Sequence, residues 1–570
     1  MKLNRTLHLG LLAALMLWLP MGGAGLLADE PPTKFARFAE SYFASRFASH
    51  PSEGTSAGLH QYDDRLEDLS RPKVLARIDE LTGQLARLAE SPPVGFDEEI
   101  DAKVLEGQIR AELLDLETLR AWEVNPMLYA GLPGGAIDGL MKRDFAPATD
   151  RLRLVIAREA AIPAVFEAAR VNLTRPPKEF TDLAIRMAKG SVGFFEGSVA
   201  TWAKSAAGPD AQLLATFEES NRKVIASARA FSAWLESDLK PRSDGKYAIG
   251  PDNFLAKLRY EERVDLPLDD LLAKGEAQLA KDFAAFVETA RKIDPARTPA
   301  QVMLALSDDH PTADDLIPSV RRSIDEARRF VIDRGIVTIP SEVRPRIEET
   351  PPYARSGSFA SMDTPGPFEA KATEAFYYVT PVEKDWDAKH ADEHLRLYNP
   401  PVVAMINVHE AYPGHYLQFL YAPRFPTLTR KLVFCGTNAE GWAHYTEQMM
   451  VDEGFGGGDP KVRLAQLQEA LLRDCRYVVG VRLHTKGMTV AEGARLFVEK
   501  GFQEPANAYE EARRGAYNPT YLYYTFGKLQ IQQLRDEYRA RKGGDLKGFH
   551  DAFVAQGGLP IDLVRSILLR

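Results

Sequence analysis

The sequence predicts a mainly α protein with one small β-sheet. Three observations carry that expectation. Apolar residues recur at three- and four-residue intervals along most of the chain, with charges between them, which is the period of an amphipathic helix. Proline pairs such as Pro92-Pro93 and Pro176-Pro177 interrupt those runs. β-prone residues gather between Gly335 and Trp386, among Gly- and Pro-marked loops. At 570 residues the chain can bury a large core and form more than one lobe. Its 45% apolar and 26% charged content is that of a soluble globular protein.

Taken in chain order, residues 1–28 read as a secretory signal peptide. Lys2 and Arg5 precede an apolar run from Leu9 to Pro20, and Gly22, Gly23, Ala24, Gly25 and Ala28 supply a small-residue exit. The run is shorter than the ~20 residues a spanning helix needs, although an uncleaved anchor is the alternative. No Cys follows it, so a lipoprotein anchor is not indicated. The expectation is an exported protein, periplasmic or secreted, with no stable membrane insertion after signal cleavage. The formal charge of −9 argues against nucleic acid or an anionic membrane as the main partner.

Residues 29–334 form an N-terminal helical region, and its pattern is clearest from Thr33 to Leu239. Val74–Leu81, Ile100–Ile109 and Leu152–Arg158 each show the helical period. Residues 335–570 form a second region, continuous with the first, holding the small sheet and the candidate metal-binding helices. Its strand candidates are Ile336–Pro340, Gly357–Ser361 and Phe376–Thr380. Helical periodicity resumes near His390 and runs to Arg570. Two cysteines, Cys435 and Cys475, lie in this region. A disulfide between them and two separately buried thiols are equally compatible with an exported chain.

The chemically informative stretch is Ile406-Asn-Val-His-Glu-Ala-Tyr-Pro-Gly-His-Tyr-Leu-Gln418. A hydrolytic zinc site needs neutral imidazoles to hold the metal and a carboxylate beside them to deprotonate water. In the familiar His-Glu-x-x-His helix the histidines are four apart and share a face; His409 and His415 are six apart. At about 100° per residue, that spacing turns the second ring by roughly 240° on a regular helix. Pro413 removes a backbone donor and Gly414 relaxes the backbone, so the turn can bulge or open. Two nearby histidines on a helix are ordinarily packing or surface residues. A second element shifts the balance: Thr437-Asn-Ala-Glu-Gly-Trp-Ala-His-Tyr-Thr-Glu-Gln448 offers Glu440 as a third ligand. Gly441 and Ala443 allow close helix approach there. His444 and Glu447 are candidates to orient a ligand, and His444 is the alternative to Glu440.

His409-Glu410 followed by Glu440-Gly441-Trp442-Ala443 resembles the gluzincin metallopeptidases, whose third ligand is a Glu in an Asn-Glu-Gly-Phe-Ala-like element. More closely, His-Glu-Ala-Tyr-Pro-Gly-His with Glu-Gly-Trp-Ala-His-Tyr-Thr-Glu resembles a bacterial family long catalogued as a domain of unknown function, largely helical, often exported and zinc-peptidase-like. The likeness runs over roughly residues 35 to 565. It includes Phe359–Pro367 and Asn518–Lys528. It implies His409, His415 and Glu440 as ligands of Zn2+ and Glu410 as general base. It also implies a two-lobed helical architecture whose deep cleft, beside the small sheet, admits short peptides. This chain departs from standard gluzincins by two extra residues between the histidines, which puts the ligand geometry in question.

The resemblance further implies a phenol that stabilises the oxyanion, with Tyr524 the first candidate and Tyr523 the alternative. The cluster of Tyr517, Tyr521, Tyr523 and Tyr524 also reads as ordinary core and cleft lining. Arg513 and Arg514 read as a solvated charge pair, with bidentate recognition of a substrate carboxylate as the alternative. Arg473, Arg476, Arg482 and His484 pose the same choice. Phe376–Thr380 is either an edge strand for an extended peptide or an ordinary packed strand. The competing functions are a zinc hydrolase of a non-peptide amide or ester, and a non-catalytic helical binding protein. Glu410 argues against the last, because a purely structural site has no use for a base.

Overall fold

Helix boundaries follow local capping chemistry. Thr33 accepts from Ala36 N to start Lys34–Ser49, Asp210 caps Ala211–Trp234, and Asp459 caps Pro460–Thr485. Thr298 with Gln301 and Thr489 with Glu492 form full capping boxes. The two proline pairs fall between helices, as expected: Pro92-Pro93 separates Arg71–Ala89 from Gly95–Leu113, and Pro176-Pro177 separates Ala148–Asn172 from Lys178–Phe194. The computed structural model describes residues 31–350, 355, 360–383 and 386–570. The expected signal segment and positions 357–359 lie outside the described residues. No described helix is long and apolar enough to cross a membrane.

The protein is mainly α with one small sheet, and its apolar side chains collect into several clusters. The largest joins the first helices of the chain (Phe35, Tyr42, Leu81, Val104) to the sheet and to helices near the end (Val408, Trp442, Ile531, Leu563). A second is built from the segment Pro126 to Leu239, joined by Ala372. A third packs Leu268–Ile293 against Pro460–Thr485, Val490–Gly501 and Pro505–Tyr517. Pro460–Thr485 also touches Pro400–Glu410, Gly436–Asp452 and Tyr523–Lys542, so it backs the helices that carry the candidate site.

The sheet has three strands, β1 (Arg346–Glu349), β2 (Ala360–Asp363) and β3 (Phe376–Val379), in the order β1-β3-β2. β1 runs parallel to β3 with Arg346 opposite Phe376, and β2 runs antiparallel with Asp363 opposite Phe376. Of the two readings of Phe376–Thr380, the packed strand holds: Phe376–Val379 is the central strand, paired on both sides, so it offers no free edge to a peptide. One expectation is corrected. Ile336–Pro340 is not a strand: Ile336 N closes the preceding helix on Val331 O, and other backbone groups bond to side chains, Thr338 N to Asp551 and the Ile336 and Thr338 carbonyls to His550 and Tyr421. β1, with sequence Arg-Ile-Glu-Glu, carries no strand signal and forms because β3 offers it a ladder. Tyr377 of β3 donates to Asn407 Oδ1 at 2.6 Å, fastening the sheet to Pro400–Glu410, the helix that carries His409.

Cys435 and Cys475 are both free and buried, so the two-thiol reading holds and the disulfide does not. In the second cluster's helices, burial pushes the Glu159 carboxyl up to about 8, with Ser220 pulling back only part of that. A carboxyl whose folded pKa lies above its unfolded one costs stability as pH rises from the unfolded value to the folded one. The wild type should therefore lose on the order of 1–3 kcal/mol between pH 5 and 8 relative to Glu159→Gln. Thermal unfolding followed across that range checks it; parallel pH profiles for the two proteins would refute it.

Candidate metal centre

His409 and His415 are brought together by a break in the helix. Pro400–Glu410 ends at Glu410, four residues turn, and a new helix starts at His415. Gly414 N donates to Val408 O at 3.0 Å, and Leu417 N to Ala411 O at 3.3 Å. Each bond spans six residues where a helix spans four. Two residues are thus looped out, and His415 takes the place an i+4 residue would occupy. Opening of the turn, rather than a bulge within one helix, resolves the spacing. Glycine is required at 414 by close approach: a Cβ there would stand 1.8 Å from the His409 carbonyl oxygen. Trp442 Nε1 donates to Pro413 O at 2.8 Å and pins the loop to the next helix.

That next helix, Gly436–Asp452, delivers Glu440. Glu262 holds its N-terminus by accepting from Gly436 N at 2.8 Å, Thr437 N at 2.9 Å and Thr437 Oγ1 at 2.6 Å. The helix crosses Tyr523–Lys542 glycine to glycine, where a Cβ on Gly441 would lie 2.6 Å from Gly527 Cα. Glu440 Oε2 then stands 3.4 Å from His409 Nε2 and 3.3 Å from His415 Nε2. Tetrahedral ligands at about 2.0–2.1 Å from a zinc ion are about 3.3–3.4 Å apart, so the spacing fits. The two rings are perpendicular, with centroids 4.8 Å apart. Glu440 Oε2 is buried and accepts no hydrogen bond. One ligand atom from each of the three residues lies within 4.8 Å of the others.

The charge environment favours a cation between these groups. Burial opposes charge on Glu440, yet His415 and His409 hold its carboxyl well below the usual range. For His409, burial and Arg473 oppose protonation, but Glu440 and Glu447 outweigh them and hold it up at about 9. A divalent cation would meet the same carboxylate charge that favours protonation of His409. Donor chemistry, spacing and the unbonded oxygen all suit zinc.

Behind the triad, Glu447 Oε1 accepts from His409 Nδ1 at 2.7 Å, which leaves Nε2 facing Glu440. The other Glu447 oxygen meets His444 Nδ1 at 3.2 Å. His444 therefore sits behind the triad and outside it, while burial, with Lys528 nearby, pushes its pKa down to about 3. Arg473 Nη2 lies 3.3 Å from Glu447, and its Nη1 bonds Glu469 at 2.5 Å.

Glu410, the last residue of its helix, is half-buried beside His409, and no hydrogen bond or ion pair ties its carboxylate among the described residues. The Tyr524 ring lies 6.5 Å from that of His409, and its hydroxyl accepts from Arg514 Nη2 at 3.3 Å. Burial and Glu440 both raise the Tyr524 pKa, so the phenol stays protonated. The Tyr523 hydroxyl accepts from Asn518 at 2.9 Å. The arginines are not a solvated pair: Arg513 is buried against Glu510, and Arg514 is half-buried. Arg476 makes two 2.8 Å bonds to Glu511, Arg482 pairs with Glu276, and His484 bonds the Gly515 carbonyl. Glu262 was not legible beforehand. It sits in the charged run Glu261-Glu262-Arg263, which reads as a solvated helix end.

The family model described as "Bacterial protein of unknown function (DUF885)" matches residues 51–568. Among solved structures, the chain is similar to a "putative lipoprotein of unknown function" from Shewanella oneidensis. The two are 27% identical with a TM-score of 0.79, over 94% of this chain and 100% of that one. A "putative lipoprotein" from Colwellia psychrerythraea shares the fold, at 18% identity and a TM-score of 0.75, over 94% and 98% of the two chains. The comparison with curated proteins gives no match.

Proposed function

The chain belongs to the DUF885 family of bacterial proteins, and from that premise we propose that it is a zinc-dependent hydrolase cleaving peptide bonds of short peptides outside the cytoplasm. One observation carries the reading: two imidazole Nε2 atoms converge on a single buried, unbonded carboxylate oxygen. His409, His415 and Glu440 would hold the metal. Zinc bound there supplies Lewis acidity towards water and a substrate carbonyl.

The surrounding residues supply the proton chemistry. Glu410, with no competing partner among the described residues, accepts a proton from the attacking water and passes it to the leaving amine. Tyr524, kept neutral, donates a hydrogen bond to the oxygen on which negative charge develops. Glu447 keeps His409 in the tautomer that presents Nε2. Peptide as the substrate is supported by the likeness to gluzincins in the His409-Glu410 and Glu440-Gly441 elements. Export is supported by the signal-like residues 1–28 and by the description of both structural relatives as a "putative lipoprotein".

Metal analysis of the gently purified protein should find about one zinc per chain. Mass-spectrometric mapping of a mixed peptide library should show cleavage that a chelator stops and zinc restores. A protein that takes up no zinc on titration, or cleavage indifferent to chelator, sinks the reading. An untouched library beside hydrolysis of small amides or esters moves the substrate away from peptides.

A further inference from the structure

The arginines around Tyr524 differ in one respect, which is whether an acid answers them. Arg473 has Glu447 and Glu469, Arg476 has both oxygens of Glu511, and Arg513 has Glu510. Arg514 has no ion pair among the described residues. Its side-chain hydrogen bond goes to the neutral Tyr524 hydroxyl, at 3.3 Å, and its guanidinium lies over the Tyr521 ring at 5.4 Å. Glu511 acts on it through charge at a distance but does not bond it, because Arg476 and the Tyr521 hydroxyl already take that carboxylate. A guanidinium carries five donors, and most of those on Arg514 are left for something else.

A half-buried guanidinium with no bonded carboxylate and donors to spare is a ready partner for an arriving anion. Its position says which anion. Arg514 bonds Tyr524, whose ring lies beside His409, and both Tyr523 and Tyr524 feel the charge of Glu440. A carboxylate oxygen on the same Nη2 of Arg514 would lie within about 6 Å of the Tyr524 hydroxyl, one observed 3.3 Å bond plus another of ordinary length. An extended residue spans roughly 3.3–3.6 Å. The anchored group therefore falls one or two residues beyond a carbonyl that Tyr524 faces.

We infer that Arg514 binds the free C-terminal carboxylate of the substrate, so that the enzyme removes one or two residues from the C-terminus of short peptides. The inference rests on the peptidase reading of the same site. Arg514 acts as a specificity residue. It reads the carboxylate with paired N–H donors, which a C-terminal amide cannot match in charge or geometry.

The test uses one peptide sequence prepared as free acid and as C-terminal amide. Full-length, zinc-loaded protein should cleave the acid with a kcat/KM roughly 10–100-fold above that of the amide, mainly through KM. In Arg514→Gln the acid should lose at least about tenfold more than the amide, and Arg514→Lys should restore part of the difference. Calorimetric binding of both peptides to the Glu410→Gln protein, with and without Arg514→Gln, gives a readout independent of turnover. The acid should bind more tightly, and only while Arg514 is present. Equal cleavage of acid and amide by the wild type overturns the inference while leaving the peptidase reading intact, as does a proportional loss on both in Arg514→Gln. If neither peptide is cleaved, the peptidase reading fails and the binding arm decides Arg514 alone. Discrimination that is absent, or that survives its removal, then overturns the inference.

Discussion

Glu410→Gln should leave zinc content and thermal stability near wild type while lowering peptide turnover by about 10²- to 10⁴-fold. The expectation of an intact fold follows from the site. No hydrogen bond or ion pair ties the Glu410 carboxylate among the described residues, so the amide orphans no partner. The expectation of a large kinetic loss follows because glutamine keeps the shape and gives up the basicity. Zinc content and kcat on a cleaved library peptide should be measured on the same preparation. Undiminished cleavage removes Glu410 from the role of base, whereas loss of zinc would make it part of the metal-holding set. His409→Ala and Glu440→Ala, by contrast, should lose the metal itself, since each removes a converging donor atom.

Gly527→Ala should be among the most damaging single-methyl additions in the protein. The new Cβ would lie 2.0 Å from the Thr437 carbonyl oxygen and 2.9 Å from Gly441 Cα, both backbone atoms with no rotamer to yield. The two helices would have to move apart. One of them carries Glu440 and the other Tyr524, so the displacement falls across the candidate site. A loss on the order of 3 kcal/mol in stability is expected, accompanied by weakened zinc binding. Gly190→Ala serves as the control. Its Cβ would meet nothing within 4 Å on an exposed helix surface, so it should gain about 0.5–1 kcal/mol. Thermal unfolding and zinc titration of both variants make the comparison. A Gly527→Ala protein as stable and as tightly zinc-binding as wild type would show that the crossing does not position the site.

Much of the fold was legible because helical periodicity is a local property. Arg71–Ala89, Gly95–Leu113 and Ala148–Asn172 bury residues at the three- and four-residue spacing the sequence displays. The sheet was less legible, since a strand needs a partner. Ile336–Pro340 has the β-branched residues of a strand but gives its backbone to Asp551, His550 and Tyr421, while Arg346–Glu349 has Ile347 alone and pairs with β3. Central placement of Phe376–Val379 likewise depends on which segments reach it, and not on its own residues.

The candidate site divides along the same line. By itself the sequence determined the chemistry available: two imidazoles, a flanking carboxylate, a Pro-Gly turn between them and a separate Glu-Gly-Trp element. Whether six-residue spacing brings the histidines together was decided by hydrogen bonds that skip two residues and by Trp442 holding Pro413 from another helix. Which carboxylate of Gly436–Asp452 turns toward the histidine Nε2 atoms, and which stands behind His409, was decided by the direction that helix is aimed. Glu262 and the Gly441–Gly527 crossing set that direction from positions remote in sequence. That no carboxylate bonds Arg514 is also a tertiary fact, because it depends on Glu511 being occupied by Arg476. Local sequence encodes period, turn and side-chain type. The partner of a charge is fixed by packing between helices far apart in the chain.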